Sequence, residues 1–279
     1  MNVFSTIDDL RQQRWVDPTS AWGLIPTMGY LHEGHLSLVR QARRENDWVA
    51  VSIFVNPIQF NNPDDLTHYP RNLEQDLALL RKEGVDVVWT PAPHEIYPPD
   101  YQTYIDVQKI SQRLEGAARP GHFRGVTTIV AKLFNVFQPH RAYFGQKDAQ
   151  QVVVIKQMVK DLNFNLKVIV CPTVREPDGL AMSSRNVRLS PAARQQATCL
   201  HRALTTAKSA FEMGRHRAAE LHATMLAVVN QADLARVDYI SVADPETLSE
   251  LETIEQRALL SLAVWVDDVR LIDNIIVKK

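Results

Sequence analysis

The sequence predicts an α/β protein: a mostly parallel sheet covered by helices on both faces, followed by a smaller C-terminal α+β unit. Three observations predict it. Strand-like and helix-like segments alternate through the first 170 residues, the character turns polar and aperiodic after residue 172, and two helices then precede three strands. A chain of 279 residues is long enough for one large domain or two ordinary ones with a substantial core.

The elements follow in order. "AWGLIPT" (21–27) is a short apolar run that ends beside Pro26 and Gly29, a buried strand feeding a loop. Leu36, Leu38, Val39 and Ala42, with charges between them, predict a helix starting near Gly34. "WVAVSIFV" (48–55) is a second buried strand, stopped by Asn56-Pro57. "NLEQDLALLRKEG" (72–84) has helical spacing, early acids, late bases and a terminal glycine. Strands at 85–91, 141–145 and 166–171 and helices at 125–137 and 149–162 continue the alternation. Such repetition implies right-handed crossovers and a parallel sheet.

"PTVREPDGLAMSSRNVRLS", from residue 172, carries turn chemistry and no period, and reads as a hinge loop. Amphipathic helices at about 191–213 and 216–230 follow, then the strand-like runs "ARVDYISVA", "ALLSLAVWV" and "VRLIDNIIV". The expected division is residues 1–174 and 175–279, the second a small lid.

Composition narrows the function. With 31 basic and 32 acidic residues the net charge is -1, which offers no general field for nucleic acid or an anionic membrane. Two cysteines, Cys171 and Cys199, make neither a disulfide framework nor a Cys-x-x-Cys site. The N-terminus has acids where a signal peptide needs an apolar segment, and no apolar run approaches the ~20 residues of a membrane span. A cytoplasmic protein is expected.

"PTMGYLHEGHLSLV" (26–39) holds His32 and His35 around Gly34. A zinc protease pair has histidines at i and i+4 on one helix face; here the spacing is i and i+3 and no cysteine is near. Phosphate handling fits better. Ligands of open α/β sheets lie past the carboxyl ends of strands, helix N-termini attract phosphate, and two imidazoles on one turn can donate to its oxygens. Packing and capping of a loop is the plainer alternative for this stretch.

Asn56 and Gln59, in "FVNPIQF", are amides just past the end of the next strand. In "YFGQKDAQQ" (143–151), Lys147 and Asp148 open a helix after Gly145. A lysine opposes the helix dipole there unless a polyphosphate is bound. Asp148 either caps that helix or holds a ribose, and Gln151 lies a turn further in. "LAMSSRN" (180–186) adds two serines and Arg185, whose planar fork suits phosphate.

The blocks "PTMGYLHEGHLSLV", "SIFVNPIQF", "YPRNLEQDL", "LEGAARPGHFRGV", "FGQKDAQQ", "DGLAMSSRN" and "RLIDNIIV" resemble, in order and over nearly the whole chain, those of the pantothenate synthetase (pantoate–β-alanine ligase) family. The His-x-Gly-His and Met-Ser-Ser-Arg-Asn elements also resemble the signatures of class I aminoacyl-tRNA synthetases and related nucleotidyltransferases. The resemblance implies a Rossmann-like domain, a homodimer, ATP and Mg²⁺. It implies a reaction in two steps: pantoate's carboxylate attacks the α-phosphorus of ATP, giving pantoyl adenylate and pyrophosphate, and the amine of β-alanine then displaces AMP.

The resemblance also implies site residues. Met28, Gly29, Tyr30, Leu31, His32, Glu33, Gly34 and His35 match the ATP-phosphate segment, with His35 as proton donor and His32 its companion. Gln59 matches a glutamine touching pantoate and β-alanine, Gln151 a second pantoate amide, and Asn56 lies beside them. Gly145, Gln146, Lys147 and Asp148 match an ATP segment, with Lys147 on phosphate and Asp148 on ribose. Val174 matches an adenine contact, and Met182, Ser183, Ser184 and Arg185 a mobile phosphate-gripping loop. Asp76 falls near metal-associated carboxylates. The family often has Glu where this chain has Gln146, which changes little if that position works through its backbone and weakens any side-chain role. It often has an acidic pair where this chain has Gln75-Asp76, which leaves Mg²⁺ chiefly to ATP oxygens and water. Three rival readings are an adenylyltransferase acting on a nucleotide or phosphopantetheine, an RNA-binding module derived from a synthetase fold, and a zinc hydrolase.

Overall fold

The computed structural model describes residues 1–279. Strands β1 (Asn2–Phe4), β2 (Trp22–Thr27), β3 (Trp48–Ile53), β4 (Val87–Trp89), β5 (Arg141–Gly145) and β6 (Lys167–Cys171) form one sheet in the order β1-β4-β3-β2-β5-β6. Every pairing in it is parallel. Successive strand residues point to opposite faces, and here both faces are covered. Leu24, Ala50, Val87, Trp89, Ala142 and Phe144 enter one core with the Ile7–Val16, His122–Phe137 and Ala149–Asp161 helices. Ile25, Val49, Val51, Val88 and Tyr143 enter the other, with the Glu33–Glu45 and Leu73–Lys82 helices. Double coverage explains why these strands read as unbroken apolar runs.

From β2 the chain steps outward to β3 and β4, then returns to lay β5 on the other side of β2. This reversal opens a crevice past the carboxyl ends of β2 and β5, where ligands of such sheets bind.

Strands β7 (Ala235–Ala243), β8 (Arg257–Val266) and β9 (Val269–Lys278) form a separate antiparallel sheet. The Cys199–Glu212 and Ala218–Val229 helices share its core, whose residues all lie between Leu180 and Val277. Two residues of β9, Arg270 and Asn274, reach across to the first unit, and a third, Asp273, holds the connecting loop. Arg270 takes both oxygens of Glu115 at 2.7 and 2.9 Å. Asp273 accepts two bonds from Arg175, and Asn274 donates to the carbonyls of Gln146 and Lys147.

Several expected boundaries move. The N-terminal edge strand β1 and its following helix carry no strong pattern, and the alternation read from the sequence starts only after them. The helix expected at 191–213 is two, Pro191–Gln196 and Cys199–Glu212, separated by a tight turn in which the Leu200 N–H bonds the Ala197 carbonyl. The helix expected from 125 begins at His122, after Gly121 in the left-handed conformation. No helix is long and apolar enough to cross a membrane.

Asp273 is 2% exposed and holds the Arg175 guanidinium through bonds of 2.6 and 2.9 Å. Breaking a buried pair leaves an uncompensated charge, which costs about 3 kcal/mol. Asp273→Ala is therefore expected to lower stability in urea denaturation by about that amount. A loss under roughly 0.5 kcal/mol, the range of ordinary surface changes, would show that the pair does not hold the hinge loop.

Candidate active site

A cavity of about 220 Å³ occupies the crevice. The loop after β2 supplies Met28, His32, Gly34 and His35 to its lining, and the loop after β3 supplies Asn56 and Gln59. Past β5 come Gly145, Lys147, Asp148 and Gln151, and from the hinge loop Val174, Met182, Ser183, Ser184 and Arg185. Four stretches far apart in sequence therefore meet at one sheet edge.

The histidine loop is built by backbone bonds to both rings. His32 caps the Glu33–Glu45 helix: its Nδ1 accepts from the Gly34 N–H at 3.1 Å. His35 Nδ1 accepts from the His32 N–H at 3.3 Å. A neutral imidazole whose Nδ1 accepts carries its proton on Nε2. Both rings are thus fixed as Nε2–H donors, side by side with centroids 4.2 Å apart. A Cβ at Gly34 would lie 2.8 Å from the His32 ring, so only glycine lets that ring fold over its own helix start.

Gln59 stands in the cavity wall. Its side-chain oxygen accepts from Asn56 Nδ2 at 3.0 Å, and its amide nitrogen reaches Met28 Sδ at 3.1 Å. Asn56 is 1% exposed; it also donates to the Gly125 carbonyl and accepts from the Tyr97 hydroxyl. Both its donors are engaged inside the protein, and one of them holds Gln59 in place, while Asn56 itself stays part of the cavity lining. On the other side of the wall the Gln59 carbonyl accepts from His122 Nδ1 at 2.8 Å and from Arg119 Nη2 at 3.3 Å.

At the β5 edge, Asp148 makes no capping bond with the helix it precedes. Lys147 takes part in none of the chain's salt bridges. A Cβ at Gly145 would meet nothing within 4 Å, which leaves open space beside the turn. In the hinge loop, Ser184 donates to the Tyr30 carbonyl at 3.2 Å, while Arg185 and Arg188 both grip Asp65 at 2.8 Å. The Ser-Arg loop is thereby docked onto the histidine loop and the Pro63–Thr67 helix.

Other expected residues lie outside the lining. Gly29, Tyr30, Leu31 and Glu33 are absent from it: the Tyr30 and Leu31 N–H groups go to Asp76, and Glu33 pairs with Arg40. Gln146 points away, donating to Asn274 Oδ1 at 3.0 Å. That bond needs a donor at position 146, which a glutamate would not supply. Asp76 lies beneath the histidine loop. It is 2% exposed, and its two oxygens accept from the Tyr30 and Leu31 N–H groups at 2.8 and 2.7 Å. It pins the histidine loop through both oxygens, and no cluster of three metal-ligating side chains exists in the chain.

The structure also adds residues. Ser52 and Thr173 are among the residues around the cavity, and their hydroxyl oxygens are buried without a hydrogen-bond partner. A lone serine in a strand and a threonine beside Pro172 carry no sequence signal. Arg119 and His122 sit in the block "LEGAARPGHFRGV", which marked the segment without marking a role.

A family model described as pantoate-beta-alanine ligase matches residues 2–276. The chain is 57% identical to the pantothenate synthetase of Roseiflexus sp. (strain RS-1) over 278 residues, covering 100% of both chains. It is 50% identical to that of Thermotoga petrophila, covering 99% of both. Among solved structures, pantothenate synthetase from Thermus thermophilus superposes with a TM-score of 0.94 at 45% identity, covering 99% of both chains. The Francisella tularensis pantoate-beta-alanine ligase, complexed with beta-gamma ATP and beta-alanine, gives a TM-score of 0.83 at 38% identity, over 99% of this chain and 97% of that one.

Three histidines around the site resist protonation. Burial, reinforced by the Lys147 ammonium, pulls the His32 imidazole down to about 4. Burial, with His32 and Lys147 nearby, holds His35 well below the usual value, and burial beside Arg119 lowers His122 to about 4. The unfolded chain, with histidines near 6.5, binds protons that the fold refuses. Stability is therefore fully present above pH 6.5 and falls as the pH drops toward 4. The slope is about 1.4 kcal/mol per pH unit for each withheld proton. Urea midpoints measured between about pH 6.5 and 5, above most carboxylate titration, should decline steadily. His122→Asn should remove about one proton from the slope; an unchanged slope would show that His122 titrates normally in the fold.

A second variant probes the wall. A Cβ at Gly125 would lie 2.7 Å from the Ile58 carbonyl oxygen and 2.8 Å from Gln59 Cα. Gly125→Ala must displace that backbone, costing about 1–3 kcal/mol as overpacking does. Its urea midpoint should fall accordingly, and a midpoint equal to wild type would show that the loop yields freely.

Proposed function

The chain belongs to the pantoate–β-alanine ligase family, and from that premise we propose how its site joins pantoate to β-alanine at the expense of ATP. One observation carries the reading: two neutral imidazoles, fixed as Nε2–H donors, share a cavity with the unpaired Lys147 at the switch point of a parallel sheet. That is a site for polyphosphate.

In the first step the pantoate carboxylate attacks the α-phosphorus of ATP, and pyrophosphate leaves. His32 and His35 donate to phosphate oxygens, and Lys147 balances the charge that develops there. Because both rings start neutral, they act first as hydrogen-bond donors; the approach of phosphate favours their protonated forms. Ser183, Ser184 and Arg185 grip the departing phosphates, for which Arg185 must leave Asp65. Asp148 holds the ribose, Val174 faces the adenine, and Gln59 and Gln151 orient pantoate. In the second step the free amine of β-alanine forms the amide bond, the bond between acyl carbon and phosphate oxygen breaks, and AMP departs as a proton is released.

Mg²⁺ fits as an ion carried by ATP, since Asp76 is engaged by backbone and Asp148 is the one cavity carboxylate. When bound, it would offset phosphate charge. Residues 175–279 serve as the lid that excludes water from the adenylate. The active form is a homodimer, which sedimentation would reveal as twice the 31.7 kDa chain mass.

AMP release from ATP should require pantoate and β-alanine together for sustained turnover. AMP formation indifferent to both would contradict the reading and favour another adenylyltransferase. His35→Ala and Lys147→Ala should each reduce turnover by about 100-fold or more with the circular dichroism spectrum unchanged; near-normal turnover in either removes its assigned role.

A further inference from the structure

Beside the main cavity lies a second, of about 350 Å³, between the two sheets. Arg185 lines both, whereas Asp65 and Arg188 line the side chamber alone. The guanidinium of Arg185 therefore stands in the doorway between the two spaces. Its Nε and Nη2 both point at Asp65, the nearer bond being 2.8 Å. That edge is a pair of donors of the kind that clasps a phosphate in two bonds.

A second arginine shares that carboxylate. Arg188 Nη1 bonds Asp65 Oδ1 at 2.8 Å, and neither arginine pairs with any other acid. The sequence explains the meeting. Arg185 and Arg188 sit in the short helix Ser184–Arg188, whose 3₁₀ winding brings residues i and i+3 onto one side. Asp65 faces them from the Pro63–Thr67 helix. Two cations on one carboxylate leave the trio with a net positive charge. The Asp65 side chain is only 23% exposed, so water replaces a lost partner there in part.

In the mechanism above, Arg185 leaves Asp65 to grip the departing phosphates. With no other partner, Asp65 would then be a stranded, half-shielded carboxylate beside anionic phosphate, and its pull would hold Arg185 back. We propose that Arg188 is the stand-in counter-ion: it keeps Asp65 neutralised as Arg185 moves to phosphate, and so sets how readily the site takes up ATP. This rests on the ligase reading above. Arg188 lies outside the main cavity's lining. It is a positioning residue, acting through Asp65 on Arg185.

A double-mutant cycle on AMP release, with ATP, pantoate and β-alanine present, tests this. Arg188→Gln should lower kcat/KM for ATP by about 10-fold, within the range of coupled ion networks. The kcat/KM for β-alanine should stay near wild type, because that amine reacts after pyrophosphate has left; a damaged fold would lower both. Arg188→Lys, which keeps the charge, should recover most of the loss. In an Asp65→Asn background no carboxylate needs shielding, so adding Arg188→Gln should change kcat/KM for ATP by less than about 2-fold. A loss of the same size in that background, as when Arg188 itself grips phosphate, overturns the proposal. So does an equal fall for ATP and β-alanine, or no change in Arg188→Gln. Pantoate-dependent exchange of pyrophosphate into ATP by the wild type separates the two readings. Exchange without the Arg188 effect sinks only this role, and no exchange sinks both.

Discussion

The site depends on one buried carboxylate. Asp76, on the Leu73–Lys82 helix, gathers the N–H groups of Tyr30 and Leu31 and so holds the loop after β2 in a shape it would not take alone. Gly29 and Tyr30 are both left-handed there, with φ of 83° and 53°. Such a conformation costs a non-glycine residue about 1 kcal/mol or more, which two charge-assisted bonds offset. Once the loop is fixed, His32 lands at the helix cap and His35 one turn later, each with Nδ1 engaged and Nε2–H left for a ligand. Burial lifts the Asp76 carboxyl above its usual range while the two N–H groups act the other way, so the loop keeps an anion there only by bonding it.

The same economy of polar groups joins the two sheets at the site. Asn274 on β9 binds the carbonyls of Gln146 and Lys147, so the turn that presents Lys147 is held from the C-terminal sheet. Ser184 binds the Tyr30 carbonyl from the hinge loop. Asp65 pairs with both Arg185 and Arg188. In the mechanism we propose, a phosphate that draws Arg185 from Asp65 exchanges one partner of the guanidinium for another and creates no new charge in the interior. An exchange of this kind avoids the desolvation penalty of burying a bare guanidinium.

Much of this is legible in the sequence. Unbroken apolar strands at 21–27 and 48–55 announce a sheet covered on both faces, and the glycine between two histidines announces a tight loop. The meeting of the histidine, lysine and serine–arginine blocks follows from the rule that such sheets bind ligands at strand ends. What stays hidden depends on long-range partners. Asp76 is an ordinary helix acid until Tyr30 and Leu31 are seen above it, and the hold of Asn56 on Gln59 shows only once Gly125 and Tyr97 are seen around it. Gln146 looks like a lost acid, yet it is the donor that Asn274 requires. Ser52, Thr173, Arg119 and His122 acquire meaning only from burial and from missing or shared partners, which no local pattern encodes.

The central claim is that His32 and His35 meet the nucleotide as neutral imidazoles with the proton on Nε2. Nitrogen-15 spectra of histidine-labelled protein at pH 7 test it directly, because protonated and unprotonated ring nitrogens differ widely in shift. Two resonance pairs lost in His32→Ala and His35→Ala should show unprotonated Nδ1 and protonated Nε2. Protons on Nδ1 in either ring, or a fully protonated imidazolium in the free protein, would contradict the account.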